Sequence, residues 1–308
     1  MRSERLTYLE GFKILRFLKN ESNYHVWNPA ISGYTFLRNR LRHLEEPKAE
    51  LDVLLLSYLE HVIGVLGFPS NQDQESPTIS MARQELLHFA CMLGHKQCVE
   101  QSRNRFLKFK VENEWLDPRI RRSAYVVGIR EGDEADYWFL HNRMLQSNIA
   151  NDQLEMLRGL GATKNTDLIQ NYLTMTLTNV VRAQDKVTAF NHVLQGNPSL
   201  ALQFVIYHID DIRQQYVAEA PNTPVHSVLS NLASNLDENG LQQMESWLQN
   251  SQSGTAEYSS AMSAIATARR NMEWGDKYVD DILKGVRGGA AQLLGSIVLL
   301  ITMLVVTV

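Results

Sequence analysis

A chain of 308 residues, 44% of them hydrophobic, is long enough to bury a substantial core and to make one large domain or two ordinary ones. Its 30 Lys and Arg against 34 Asp and Glu leave a net charge of −4, spread without long single-sign runs, so a nucleic-acid backbone is not an expected partner. Two cysteines make no disulfide framework, although their closeness in the chain allows one local bridge.

At the N-terminus, MRSERLTYLEGFKIL scatters charges among its apolar residues and has no continuous apolar stretch, so it does not read as a signal peptide. Apolar residues then recur at spacings of three and four in YLEGFKILRFL, ELDVLLLSYLEHVIGVLGF, MARQELLHFACML, ALQFVIYHIDDI and NGLQQMESWLQ, a period that predicts amphipathic helices. Pro29 after Asn28, Pro118 after Asp117 and Pro198 after Asn197 each place an Asx cap before a proline at a helix start. Thr223-Pro224 and Asp237-Glu238 open two more helices. The polar run SNQDQESPT, from Ser70 to Thr78, predicts an exposed loop. RIRR at Arg119 to Arg122, between Asp117 and the acidic EGDEAD of Glu131 to Asp136, predicts a solvated helix face. Trp115, Trp138, Trp247 and Trp274 stand beside apolar neighbours at helical spacing and are expected in the core.

Alternating strand patterns are absent, and Asn239-Gly240 falls inside a helical stretch. Roughly fourteen to sixteen short helices with short connections predict an all-α fold. They are expected to pack as antiparallel pairs stacked into a right-handed superhelical solenoid of the HEAT or armadillo kind, with degenerate repeats.

After Lys284 and Arg287 the chain runs GGAAQLLGSIVLLITMLVVTV without another charge. As a helix, Leu293 to Val308 would span about 24 Å, and counting from Ala290 approaches the ~30 Å of a hydrocarbon core. The stretch predicts a membrane tail anchor or a signal for a glycosylphosphatidylinositol anchor, with Gly285, Gly288 and Gly289 as attachment candidates. Burial as a C-terminal core helix is the third reading. The triplet Asn20-Glu21-Ser22 is a glycosylation sequon, which makes Asn20 a candidate acceptor.

The chain holds no HExxH, GxSxG, GxxxxGK or GxGxxG, so no catalytic residue is assigned. One constellation has ligand-like residues: HFACMLGHKQC spaces His88, Cys91, His95 and Cys98 by three, four and three. On a continuous helix His88 and Cys98 would lie about 15 Å apart along the axis, too far to share one metal at about 2.0–2.3 Å from each ligand. Cys91 and Cys98 would be about 10.5 Å apart, beyond the ~7 Å limit for a disulfide. A break at Gly94 makes a bridge feasible and is equally required for a metal site.

Several separated segments resemble a known family. FLKNESNYHVWNPAISGYTFL (Phe17 to Leu37), ACMLGHKQCVEQSRNRF (Ala90 to Phe106), LDPRIRRSAYVVGIREGDEADYWFLHNRM (Leu116 to Met144), LEMLRGLGATKNTDLIQNYL (Leu154 to Leu173), NLDENGLQQMESWLQN and ARRNMEW follow in order. They resemble the C-terminal helical domain of the zinc aminopeptidases that include aminopeptidase N and the endoplasmic-reticulum aminopeptidases. The resemblance covers nearly all of Leu6 to Val286. It implies an N-terminally incomplete helical domain over residues 1–286, followed by a hydrophobic tail over 287–308. It also implies a disulfide between Cys91 and Cys98, because the family's two cysteines in this segment stand seven apart and are bridged.

The family's zinc and its GxMEN and HExxH residues belong to a catalytic domain that this sequence does not contain, so the resemblance implies no cofactor and no activity for this chain alone. The implied function is that of a non-catalytic concave lid that limits peptide access. Its expected partners are peptides, the parent's catalytic domain and, through the tail, a membrane; its expected place is the extracellular face of the plasma membrane. The rival expectation is a stand-alone, membrane-tethered helical-repeat scaffold for protein interactions.

Overall fold

The computed structural model describes residues 6–69, 75–216 and 223–305, with side chains as far as Gly288. Among the described residues the fold is all-α, with fourteen α-helices and no strand. In chain order these are α1 (Tyr8–Leu15), α2 (Tyr24–Arg40), α3 (Glu45–Leu66), α4 (Pro77–Met92), α5 (Lys96–Glu112), α6 (Pro118–Arg130) and α7 (Glu134–Gln146). They are followed by α8 (Ala150–Leu160), α9 (Thr166–Thr176), α10 (Lys186–Leu194), α11 (Pro198–Gln215), α12 (Thr223–Ala233), α13 (Glu238–Ser251) and α14 (Tyr258–Val305). Short 3₁₀ helices cover Arg16–Asn20 and Ala183–Asp185.

The chain divides into two compact units. Among the described residues, the first contains 6–68, 75–95 and 271–305, and the second contains 69, 96–216 and 223–270. In the first, α2 and α3 pack on α4, and α3 also packs on the 3₁₀ helix after α1. In the second, α5 pairs with α6, α7 with α8, and α9 with α10. The even-numbered helices α6, α8, α10 and α12 lie side by side in succession, and α9, α11 and α13 do the same, so this unit has two layers of helices.

Local sequence explains where the helices start. Thr7 and Glu10 form a reciprocal capping box at α1: the Glu10 N–H donates to Thr7 Oγ1 at 3.2 Å and the Thr7 N–H to Glu10 Oε2 at 3.1 Å. Asp117 caps α6 ahead of Pro118, and Asp237 caps α13 by accepting the Gly240 N–H at 2.8 Å. Asn197 occupies the position before Pro198 without a side-chain cap. Close helix approach depends on Gly128, where a Cβ would stand 2.3 Å from the Phe106 ring. Only a glycine lets α6 press against α5 at that point.

Four expectations are corrected. Pro29 does not start a helix; it lies inside α2, because Asn23 caps the helix earlier by accepting the His25 N–H at 2.9 Å. The polar insertion ends sooner than Thr78, since Ser76 is the N-cap of α4 and Pro77 its first residue; residues 70–74 lie outside the described residues. Trp115 and Trp138 are not core residues, with 59% and 38% of their surface exposed. The indole N–H of Trp138 donates to Glu134 Oε1 at 3.0 Å, and the Arg121 guanidinium lies 5.5 Å from the centre of the Trp115 ring. Trp247 and Trp274 are half-buried. RIRR is not a solvated face either. Arg119 pairs with Asp117, Arg121 with Asp152 at 3.0 Å and Arg122 with Glu155 at 2.9 Å, all partly buried, while Ile120 is in the core.

Candidate functional site

The cysteine segment forms a stapled turn. Helix α4 ends at Met92, Gly94 takes φ +85°, and α5 resumes at Lys96. The Gly94 N–H donates to Cys91 O at 3.1 Å and the His95 N–H to Ala90 O at 2.9 Å, the two bonds of a Schellman ending. Cys91 and Cys98 are both buried and joined by a disulfide. Both thiols are thus consumed, leaving only His88 and His95 at this turn as metal-ligating side chains. His95 is buried, with Nε2 3.3 Å from Glu60 Oε1. The zinc of the resembling family does not fit this set: one turn offers two imidazoles and no thiolate. Among the described residues, no group of three or more His, Cys, Asp or Glu side chains converges as a metal site would need.

The second unit has a cavity of about 220 Å³ lined by Met144, Leu145, Gln153, Leu154, Leu157, Val180, Arg182 and Asp185. Its polar side is an ion pair: Arg182 Nε donates to Asp185 Oδ2 at 2.6 Å, and Asp185 is buried. Leu145 and Val180 are exposed on the rim, as is nearby Ile149 in the α7–α8 connection. The neighbouring α5–α6 connection is held alongside, with Arg143 donating to Asn113 Oδ1 at 3.0 Å and Arg121 donating both to Leu116 O at 2.8 Å and to Asp152 Oδ1 at 3.0 Å. The connections after α5, α7 and α9 therefore lie along one edge, each carrying an exposed apolar residue: Trp115, Ile149 and Val180. Chemically, the cavity can bury an aliphatic side chain beside an ion pair. No serine, cysteine or histidine lines it, so it offers no nucleophile–base pair.

The first unit has an apolar groove of about 210 Å³ between α1 and α2, walled by Phe12, Leu15, Pro29, Ala30 and Tyr34 among others. Beside it, Trp274 is edge-on to Tyr8 and Phe36 at 6.2 and 5.4 Å, and tilted against Tyr278 at 4.8 Å. The Arg40 guanidinium lies 3.5 Å from the centre of the Phe36 ring, an internal cation–π contact. A Cβ at Gly275 would stand 2.1 Å from Arg40 O, so the glycine permits this approach. Burial sets the titration of two interior groups of the second unit. It pushes the Tyr172 hydroxyl well above the usual phenol range and holds His192 down to about 3, neutral at physiological pH.

The other sequence-derived candidates are spread apart. Asn20 is exposed at the end of the first 3₁₀ helix. Gly285 is buried against α1, where a Cβ would meet Phe12 at 2.5 Å and Tyr8 O at 2.9 Å. Gly288 lies against Leu9, and its carbonyl accepts the Arg16 Nη2 bond at 2.6 Å. Gly289 and the apolar tail after it lie outside the described side chains, and among those described no helix is long and apolar enough to cross a membrane. Sequence reasoning missed the cavity and its edge. The available signal was an apolar residue within each polar connection, Trp115 in NEWLD, Ile149 in SNIAND and Val180 in TNVVRAQ.

A family model described as the ERAP1-like C-terminal domain matches residues 1–272. The chain belongs to this family. Similar proteins include a membrane alanyl aminopeptidase from Manduca sexta, 25% identical over 92% of this chain and 28% of the relative. A membrane alanyl aminopeptidase from Heliothis virescens is 30% identical over 64% of this chain and 19% of its own length. A glutamyl aminopeptidase from Bitis rhinoceros is 23% identical over 90% of this chain and 29% of its own. The chain thus spans less than a third of these relatives and corresponds to the C-terminal domain of aminopeptidase-family proteins.

Proposed function

We propose that the chain is the non-catalytic C-terminal helical part of a cell-surface zinc aminopeptidase, where it forms a lid limiting which peptides reach a catalytic part carried elsewhere in the protein. The family match over residues 1–272 carries this reading, taken with a sequence that has neither HExxH nor any other catalytic signature. Zinc and peptide-bond hydrolysis would then belong to the portion of the relatives that this chain does not match. The two helix layers of the second unit favour the lid role, because stacked helix pairs of this kind offer a surface to a bound chain.

Three observations support the cell-surface address. The insect relatives are named as membrane enzymes, the Cys91–Cys98 bridge suits an oxidising compartment, and the chain carries an uncharged apolar tail. The tail would hold the protein to the membrane, as an anchor helix or by exchange for a lipid. Burial of Gly285 against α1 favours Gly288 or Gly289 over Gly285 as the lipid attachment residue.

The test is direct. Purified full chain should release no N-terminal amino acid from chromogenic aminoacyl substrates, with or without added zinc. Zinc-dependent turnover that a chelator abolishes would overturn the proposal.

A further inference from the structure

We infer that Asn20 carries an N-linked glycan whose first sugar stacks on the exposed ring of Phe17. The inference rests on the cell-surface reading above, since the modification requires passage through the secretory pathway. Asn20-Glu21-Ser22 is the one sequon in the chain; Asn197-Pro198-Ser199 is disqualified by its proline. Asn20 is exposed, and it closes the 3₁₀ helix Arg16–Asn20 just before the chain turns extended at Glu21 (φ −91°, ψ 132°).

The 3₁₀ geometry sorts these five residues onto three faces. With three residues per turn, side chains at i and i+3 eclipse one another. Leu18 is buried, and the 3₁₀ helix packs on α3. Arg16 and Lys19 share the second face, where Arg16 bonds Gly288 O and the Lys19 ammonium lies 5.8 Å from the Tyr58 ring centre. Phe17 and Asn20 share the third face, which is open: Phe17 is 49% exposed. They are one turn apart, about 6 Å along the axis. Helical side chains lean toward the N-terminus, so a group extending from Asn20 is directed back over Phe17.

The sequon also has a fixed shape. Glu21 Oε1 accepts the Ser22 and Asn23 N–H groups at 2.9 and 2.7 Å, and Glu21 O accepts the indole N–H of buried Trp27 at 2.9 Å. The acceptor asparagine is therefore presented from a defined turn, with an apolar ring beside it that water would otherwise cover. In the modification, the Asn20 amide nitrogen attacks C1 of the first N-acetylglucosamine of a lipid-pyrophosphate-linked oligosaccharide. The C–N bond forms, the C–O bond to the pyrophosphate breaks, the amide proton is lost, and the lipid pyrophosphate departs. The apolar C–H face of that sugar then covers the Phe17 ring.

The test routes the full chain through the secretory pathway of insect cells. Wild type should show a mobility shift on N-glycosidase treatment, and Asn20→Gln should show none. Enzymatic deglycosylation should lower Tm by about 1–3 °C in wild type, a shift of the size expected for one modest surface contact. Phe17→Ala should be glycosylated but lose this difference, and Phe17→Tyr, which keeps a ring, should retain it. A secreted chain with Cys91 linked to Cys98 and no mobility shift would overturn the inference while leaving the address intact. Retention with free thiols would overturn both. An equal Tm loss in wild type and Phe17→Ala would refute the stacking.

Discussion

Asp136→Asn should destabilise the second unit by about 2–4 kcal/mol at neutral pH. The Asp136 carboxylate is only 2% exposed and accepts from three donors: Arg103 Nη2 and Lys110 Nζ, each at 2.6 Å, and the Asp133 N–H at 3.2 Å, the last being half of the capping box that starts α7. Burial pushes this carboxyl up, but the bonds from Lys110, Arg103 and the Asp133 N–H outweigh burial and hold it below the usual carboxylate range. The amide substitution keeps shape but removes the charge, leaving two half-buried cations uncompensated. Because Arg103 and Lys110 remain about a quarter exposed, the full penalty of breaking a buried pair is discounted, which sets the lower end near 2 kcal/mol. The assay is urea unfolding at pH 7, comparing midpoints at unchanged slope. Asp133→Asn is the control: Asn caps nearly as well as Asp, so the cost should stay under about 0.5 kcal/mol. The pH dependence fixes the sign. A carboxyl whose folded pKa is lowered stabilises fully above its unfolded value and loses that contribution as pH falls through the folded value. The gap between wild type and Asp136→Asn should therefore be flat near neutrality and shrink below about pH 4. An Asp136→Asn variant within 0.5 kcal/mol of wild type at pH 7 would refute the assignment of this residue as the unit's buried electrostatic anchor.

Replacing both cysteines, Cys91→Ala with Cys98→Ala, should cost about 2–3 kcal/mol, since the bridge closes a loop of only about eight residues; reducing agent should produce a similar fall in urea midpoint in wild type and none in the variant. Gly128→Ala should cost about 1–3 kcal/mol, because the added methyl meets the Phe106 ring and α5 must yield, an effect readable as a lower thermal midpoint. His192 stays neutral when folded, with its pKa held near 3 by burial and by the charge of Arg158, so protonation of the unfolded chain should progressively destabilise wild type as pH falls from about 6.5 toward 3. His192→Phe should flatten that part of the stability profile, and an unchanged profile would show that His192 is not its source.

The helical period was legible because each helix has one face in a core. Leu51, Leu55, Leu59 and Val62 in α3, and Leu241, Met244 and Leu248 in α13, are all buried, and their three-and-four spacing marks that face without reference to a partner helix. The cysteine turn was legible for a stronger reason: the axial rise of a helix made a bridge impossible without a break, and Gly94 was the residue able to supply the left-handed conformation. Periodicity could not say what charged residues meet across helices. RIRR and EGDEAD both look like water-facing runs, yet Arg122 reaches Glu155 and Asp136 reaches Arg103 and Lys110, partners from 26 to 33 residues away. A charge run appears solvated in sequence because its counter-ions lie on another helix.

The same limit explains the cavity. Trp115 seemed a core residue from its apolar neighbours, but those neighbours serve the opposite side: Leu116 and Ile120 turn inward while the indole remains outside under Arg121. Ile149 and Val180 are each unremarkable in their own connection, and their meaning comes from alignment. Helices packed in pairs return every second connection to one edge, so single apolar residues about thirty positions apart come to the same edge. The Phe17–Asn20 face is the converse case. There the relation is local, three residues apart, and the missing information was only that the segment is 3₁₀ rather than α; a 100° step would place the two side chains 60° out of line, whereas the 120° step stacks them.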